Sequence, residues 1–191
     1  MKVFALQGSP RRDGTTAYVL SVFLEVLASL GFEVESLNID SLKIEPCNEC
    51  LSCYIREGCI ISDSMNVIYR RLEEADIIIF ATPVFFSGPT AQLKAAIDRL
   101  QAFWAIKNIL GRKVREKFGR MFGIVVGSRN SEIDLRNTVS IFKAAASAID
   151  VEYSGTFSIL DAENKECLPP KPLLKKSIEG FLKEKLELNH G

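Results

Sequence analysis

The chain predicts an α/β fold, a parallel sheet with helices wound over both faces, and three observations carry that expectation. Two short runs, Lys2 to Gln7 and Ala75 to Ala81, are apolar and β-branched almost throughout, the pattern of strands buried on both faces. Between strand-like runs lie segments whose apolar residues recur at helical spacing, so the order reads β-α-β-α-β-α-β-α-β-α. Glycine and proline mark the junctions. With 191 residues, 47% of them hydrophobic, one domain over residues 1–191 holds all of this, with no internal repeat or linker.

The first strand ends at Gly8, and the first helix is expected from Thr15 to Leu30, with Val19, Val22, Phe23, Val26, Leu27 and Leu30 on one face and Gly31 as its stop. Between them runs GSPRRDGT. A glycine-opened loop entering a helix N-terminus offers unpaired amides and a favourable dipole to an anion. Ser9, Thr15 and Thr16 add hydroxyl donors and Arg11 a planar cation, while Pro10 and Gly14 shape the turn, a set suited to a terminal phosphate monoester. The loop has neither the Gly-Lys-Ser/Thr of a Walker motif nor GxGxxG. The plainer alternative is a polar connection with an N-capping threonine.

Glu33 to Ile39, EVESLNI, alternates and so predicts a strand wet on one face, at a sheet edge. Directly after it comes CNECLSCYIREGC, in which Cys47, Cys50, Cys53 and Cys59 follow the spacing CxxCxxCx5C. Thiolates so crowded call for a soft cation, and the candidates are zinc and an iron–sulfur cluster. Structural zinc sites usually set two CxxC knuckles a dozen or more residues apart, so the compact form favours a cluster; redox-active or merely neighbouring thiols are the remaining alternative. Cys167 is remote in sequence and reads as an ordinary thiol. This cluster-binding insertion covers residues 45–62.

Ser62 or Asp63 is expected to cap a helix to about Glu74 with Met65, Ile68, Tyr69 and Leu72 buried. After the strand at 75–81, TPVFFSGPT leads into one helix from about Ala91 to Ile106. This loop leaves the C-terminal end of a central strand, where doubly wound folds bind ligands. Phe85 and Phe86 there can wall a planar ring, although aromatics beside a strand more often join the core. GRKVREKFGR reads as a solvated connection. Met121 to Val126 is a strand followed by the loop Gly127 to Ser131, Leu135 to Ile149 a helix, Val151 to Leu160 a strand, and residues 172–188 a C-terminal helix.

Charges balance at 24 against 24, which leaves no basic footprint for nucleic acid or an anionic membrane. The opening MKVFALQGSPRR has too short an apolar run for a signal peptide, and no segment reaches spanning length uncharged, so a cytoplasmic location is expected. A reducing compartment disfavours disulfides and strengthens the metal reading. The single histidine is His190, which removes the usual hydrolase triads and histidine-zinc catalysis. No catalytic side chain is therefore assigned, and the chemistry falls to bound cofactors.

With the phosphate loop, TPVFFSGPTAQLKAAIDR and the cysteines in this order, the chain resembles, end to end, the iron–sulfur flavoproteins, relatives of the NADPH-dependent FMN reductases. The resemblance implies a flavodoxin-like five-stranded sheet of order 2-1-3-4-5 with FMN at the switch point. It gives Ser9, Arg11, Gly14, Thr15 and Thr16 to the phosphate, and Pro83, Val84, Phe85 and Phe86, with Gly127 and Ser128, to the isoalloxazine. Cys47, Cys50, Cys53 and Cys59 match the compact [4Fe-4S] motif. Two departures stand out: the family often has asparagine at Gly14 or Thr15, and a glycine-rich third loop where this chain has Arg129 and Asn130.

The resemblance further implies a redox flavoprotein passing electrons between FMN and the cluster, with ferredoxin or NAD(P)H as donor and oxygen, peroxide or a quinone as small acceptor. It also implies a homo-oligomer, dimer or tetramer, with transfer across a subunit boundary. The rivals are a cluster-free NAD(P)H-dependent FMN or quinone reductase whose cysteines hold zinc or nothing, and a noncatalytic electron carrier or redox sensor. A phosphate-switched receiver needs acids after the first strand, where Gln7, Gly8 and Ser9 stand.

Overall fold

The structure, a computed structural model, describes residues 1–186. Five parallel strands form one sheet in the order β2-β1-β3-β4-β5: β1 Lys2–Gln7, β2 Glu33–Asn38, β3 Ile77–Pro83, β4 Arg120–Val126 and β5 Glu152–Ile159. The apolar runs are the central strands, as expected, with Val3 to Leu6 and Ile77 to Ala81 buried on both faces. The alternating segment is the edge strand β2, paired only with β1, from Lys2 opposite Glu33 to Gln7 opposite Asn38. At the far edge β5 shifts register beside Met121 and Phe122, and Gly155, at φ +142°, absorbs the irregularity in a backbone region that side chains rarely enter.

Helices α1 (Thr15–Ser29) and α6 (Lys171–Leu186) cover one face of the sheet. Their core includes Phe23, Phe122, Phe157 and Phe181, which meet edge to face at centroid distances of 5.7–6.1 Å. The expected end of α6 near Leu188 lies outside the described residues. On the opposite face lie α2 (Met65–Glu74), α3 (Ala91–Arg99), α4 (Gln101–Asn108) and α5 (Glu132–Ile149). The buried face of α2 is Met65, Ile68, Tyr69 and Leu72, as its spacing predicts.

Two expectations are corrected, and one alternative is not what forms. The helix expected from Ala91 to Ile106 is two helices, broken at Leu100. There the Leu100 amide bonds back to the Ile97 carbonyl at 2.9 Å, a tightened turn, and the Tyr69 hydroxyl donates to the Arg99 carbonyl at 2.6 Å. The basic connection is not simply solvated: Val114 and Arg115 are buried, with Arg115 Nη1 and Nη2 donating to the carbonyls of Leu72 and Ala75. Finally, Gly14 and not a threonine occupies the N-cap of α1, with no side-chain cap.

Candidate functional site

Two cavities, one on the sheet's C-terminal edge and one between the cysteine loop and the α3–α4 junction, collect most of the residues singled out by sequence. The first, of about 530 Å3, lies where chain connections leave β1 in opposite directions, the switch point of the sheet. Ser9, Pro10, Arg11, Gly14, Thr15 and Thr16 line it from the β1–α1 loop, Pro83, Val84 and Phe85 from the loop after β3, and Ser128 from the loop after β4. Its size falls within that of small-molecule sites.

The phosphate-loop side is built for an anion. The first turn of α1 carries no acid and no side-chain cap, so its amides and dipole face the loop unopposed. Ser9 is buried and its Oγ accepts the Arg11 amide at 3.1 Å, leaving the hydroxyl hydrogen to donate. Gln7 Nε2 donates to the Arg11 carbonyl at 3.1 Å and steadies the turn. Gly8 joins three elements: its amide donates to the Ala81 carbonyl at 2.6 Å, and its carbonyl accepts the Thr90 hydroxyl at 2.5 Å. Thr90 Oγ1 also caps α3 by accepting the Leu93 amide at 3.2 Å.

Phe86 and Gly127 line an adjoining cavity of about 190 Å3, with Val84, Ser87, Ser128, Arg129, Asp134 and Leu160. Phe85 and Gly88 bridge in antiparallel fashion around Phe86 and Ser87, at φ +45° and +63°, a two-residue turn with both central residues left-handed. Neither aromatic joins the core. Phe86 projects wholly into solvent, and Phe85 is about half exposed. The turn is anchored through Ser87, whose hydroxyl donates to the buried Asp134; Arg129 Nη2 donates to the same carboxylate at 3.1 Å. The Ser87 hydroxyl, then the Ser131 and Arg129 donors, hold the Asp134 carboxyl below its ordinary range against the effect of burial. Ala162, Glu163 and Asn164, from the β5–α6 loop, also line the large cavity and were not foreseen.

All four clustered cysteines line the second cavity, of about 460 Å3, together with Asn48, Glu49, Tyr54, Arg99 and Gln101 among others. Glu49 at φ +56° and Leu51 at φ +58° turn the chain on either side of Cys50. Cys47 and Cys50 are exposed, while Cys53 and Cys59 pack partly against the core. Among the described residues, no three Cys, His, Asp or Glu side chains are drawn together as for a single metal ion. Burial pushes the Cys53 thiol up, the neighbouring cysteines adding to it, whereas the Ser52 hydroxyl lowers Cys50. Cys167 lies apart, its sulfur beside Asn164 Oδ1 at 3.5 Å.

The base of the cysteine loop is closed by Asp63, already expected as a helix cap, and by Arg99, which sequence reasoning missed. The Glu45 amide donates to Asp63 Oδ2 at 2.8 Å, and the Lys43 amide donates to Ser64 Oγ at 3.1 Å. Arg99, wholly buried, spans both ends of the loop: Nη1 donates to the Glu45 carbonyl and Asp63 Oδ2 at 2.8 Å each, Nη2 to the Ile61 carbonyl at 3.0 Å and Asp63 Oδ1 at 3.3 Å. Asp63 Oδ1 also accepts the Met65 amide at 2.9 Å, so its expected capping role is present, whereas the α2 cap position itself is Ser64. Burial alone would raise the Asp63 carboxyl and lower Arg99. Their pairing, with the amides of Glu45 and Met65 on Asp63, reverses both. Removing one partner of such a pair costs about 3–5 kcal/mol.

A family model described as NADPH-dependent FMN reductase matches residues 1–154. A protein of Archaeoglobus fulgidus named iron–sulfur flavoprotein is 31% identical over 163 residues, 85% of this chain and 71% of that one. One of Methanosarcina thermophila with the same name is 36% identical over 115 residues, covering 58% of this chain and 60% of the relative. Among solved structures, an FMN-dependent NADH-azoreductase from Bacillus anthracis in complex with FMN superposes over all of both chains at a TM-score of 0.65 and 15% identity, a likeness of fold.

Proposed function

Because the chain belongs to the NADPH-dependent FMN reductase family, together with the iron–sulfur flavoproteins, we propose that it is an oxidoreductase holding FMN at the switch point and a [4Fe-4S] cluster in the cysteine cavity. The observation that carries this reading is the sorting of the two motifs: the phosphate loop lines one cavity with the β3 loop, and all four cysteines line another. When bound, FMN supplies two-electron chemistry and the cluster one-electron exchange.

The protein's part is to hold and shape. Arg11, Ser9, Thr15, Thr16 and the α1 amides take the phosphate dianion, and Thr90 fixes that loop to α3. Pro83, Val84 and Phe85 would offer the isoalloxazine an apolar wall, Asp134 braces the turn that carries Phe86, and Gly127 and Ser128 lie beside Val84. Four soft thiolates around a roomy cavity suit a multi-atom cluster better than one ion. A donor such as ferredoxin or NAD(P)H and a small acceptor such as oxygen, peroxide or a quinone complete the proposed cycle, in the cytoplasm. Among the described residues no helix is long and apolar enough to cross a membrane.

The cysteine loop also exposes Leu51, Ile55 and Ile60, and Trp104 stands beside Tyr54 at the same place. A neighbouring copy in a closed homo-oligomer would cover them and bring the cluster toward that copy's flavin. Iron, sulfide and flavin analysis of anaerobically purified protein, with its visible spectrum, tests the cofactor assignment. The expectation is flavin bands over a broad cluster absorbance, and flavin with zinc or with no metal would replace it by the cluster-free reductase.

A further inference from the structure

Arg99 is the last residue of α3, and its side chain is wholly buried. A guanidinium has five N–H donors and cannot shed its charge, so burial obliges the protein to satisfy each. Four are accounted for: both on Nη1 and both on Nη2 go to Asp63, Glu45 and Ile61. The fifth, on Nε, is buried with no partner. Arg99 also forms part of the wall of the cavity lined by Cys47, Cys50, Cys53 and Cys59. Arg115 is the useful contrast, since its Nε is likewise buried and unpaired but it lines none of the described cavities.

We propose that Arg99 donates its Nε–H to a sulfur of the group held by the four cysteines, and so sets that group's reduction potential as well as closing the loop. The inference rests on the reading that the cysteines hold an iron–sulfur cluster. Sulfur bound to iron is anionic and accepts hydrogen bonds, and reduction adds further negative charge to it. A fixed buried cation with a directed N–H therefore favours the reduced form and raises the potential. Asp63, the counter-anion, works against it. The two residues form one clamp mechanically but act oppositely on the potential.

The test uses anaerobically purified holoprotein carrying 15N-labelled arginine, reduced so that the cluster is paramagnetic. Pulsed electron paramagnetic resonance then reads nitrogen coupling to the cluster, in an Arg56→Lys background because Arg56 lies on the same loop. The expected result is an arginine coupling in that protein, which is lost in Arg99→Lys. Redox titration supplies the second readout. Arg99→Lys should lower the equilibrium constant for one-electron reduction about tenfold, a fall of about 59 mV, whereas Asp63→Asn should raise the potential.

A purely mechanical clamp would move both variants in the same direction, and that outcome overturns the proposal. So does a protein with full iron and sulfide that shows no arginine coupling, a measurement that needs no Arg99 variant to fold. In both cases the cluster assignment survives. Absence of iron and sulfide from the wild-type protein overturns the proposal and the cluster reading together.

Discussion

Gly8→Ala tests whether the phosphate loop is held by close approach of three elements. A Cβ on residue 8 would lie 2.7 Å from Leu93 Cδ2, 2.8 Å from Leu93 Cβ and 3.0 Å from the Ala81 carbonyl oxygen. A rotamer change moves Cδ2, but Leu93 Cβ and the Ala81 carbonyl belong to α3 and β3 and yield only if those elements shift. Overpacking of this kind costs about 1–3 kcal/mol, which lowers the melting temperature of a chain this size by about 2–12 °C. The same shift strains the bonds from Gly8 to Ala81 and Thr90 and moves the loop away from the phosphate. Loss of one charge-assisted hydrogen bond, about 1.5–3 kcal/mol, weakens FMN binding about 10- to 150-fold.

Thermal melts and titration of apoprotein with FMN measure both effects. Two controls fix the interpretation. Gly180→Ala, in α6 with open space at its Cβ, should raise stability by about 0.5–1 kcal/mol. Arg11→Ala, at an exposed side chain, should weaken FMN by the same range as Gly8→Ala and leave the melt unmoved. If Gly8→Ala binds FMN and melts as the wild type does, the close-approach reasoning is wrong.

Three further outcomes are expected. Cys50→Ala and Cys53→Ala should each sharply lower iron content while Cys167→Ala leaves it intact; iron loss in the last alone would overturn the ligand assignment. Asp63 has a carboxyl depressed by Arg99, so it stabilises the fold above the unfolded value of about 3.9 and loses that contribution as pH falls through the lower folded value. The stability difference between wild type and Asp63→Asn should therefore be constant from about pH 7 to 5 and shrink below about pH 4, and chemical melts across that range showing no change would contradict it. If subunits exchange electrons, rapid-mixing experiments on monomer carrying both cofactors should show slower flavin-to-cluster transfer than the intact oligomer, and equal rates would place transfer within one chain.

The legible parts of this chain were those whose signal is local. β1 and β3 announce themselves as unbroken apolar runs, β2 by alternation, and the cysteines by spacing, because each pattern reports burial or chemistry within a few residues. Arg99 was illegible for the opposite reason. In AAIDRLQ it reads as a surface cation, and only the fold brings Asp63, Glu45 and Ile61 to it. Arg115 hides likewise in a basic run whose partners, Leu72 and Ala75, sit on α2 and the chain just after it. The break at Leu100 coincides with the Tyr69 hydroxyl on the Arg99 carbonyl, a contact that helical periodicity does not encode. Phe85 and Phe86 were ambiguous in sequence, since aromatics beside a strand suit a ring-binding loop or the core, and the turn with left-handed Phe86 and Ser87 leaves both outside the core. Ala162 to Asn164 reach the large cavity because β5 ends beside β4, which no property of those three residues signals.

Comparing wild type with Cys50→Ala decides whether the protein keeps a two-electron and a one-electron station in separate cavities and exchanges electrons between them. Each protein is reduced anaerobically to the same flavin level and mixed rapidly with a one-electron acceptor while flavin and cluster absorbances are followed separately. Both proteins should carry full flavin, and in the wild type the cluster should reoxidise ahead of the flavin. In the cluster-depleted variant, flavin reoxidation should be markedly slower. Identical flavin reoxidation rates in the two proteins, with the wild-type cluster loaded, would contradict that exchange.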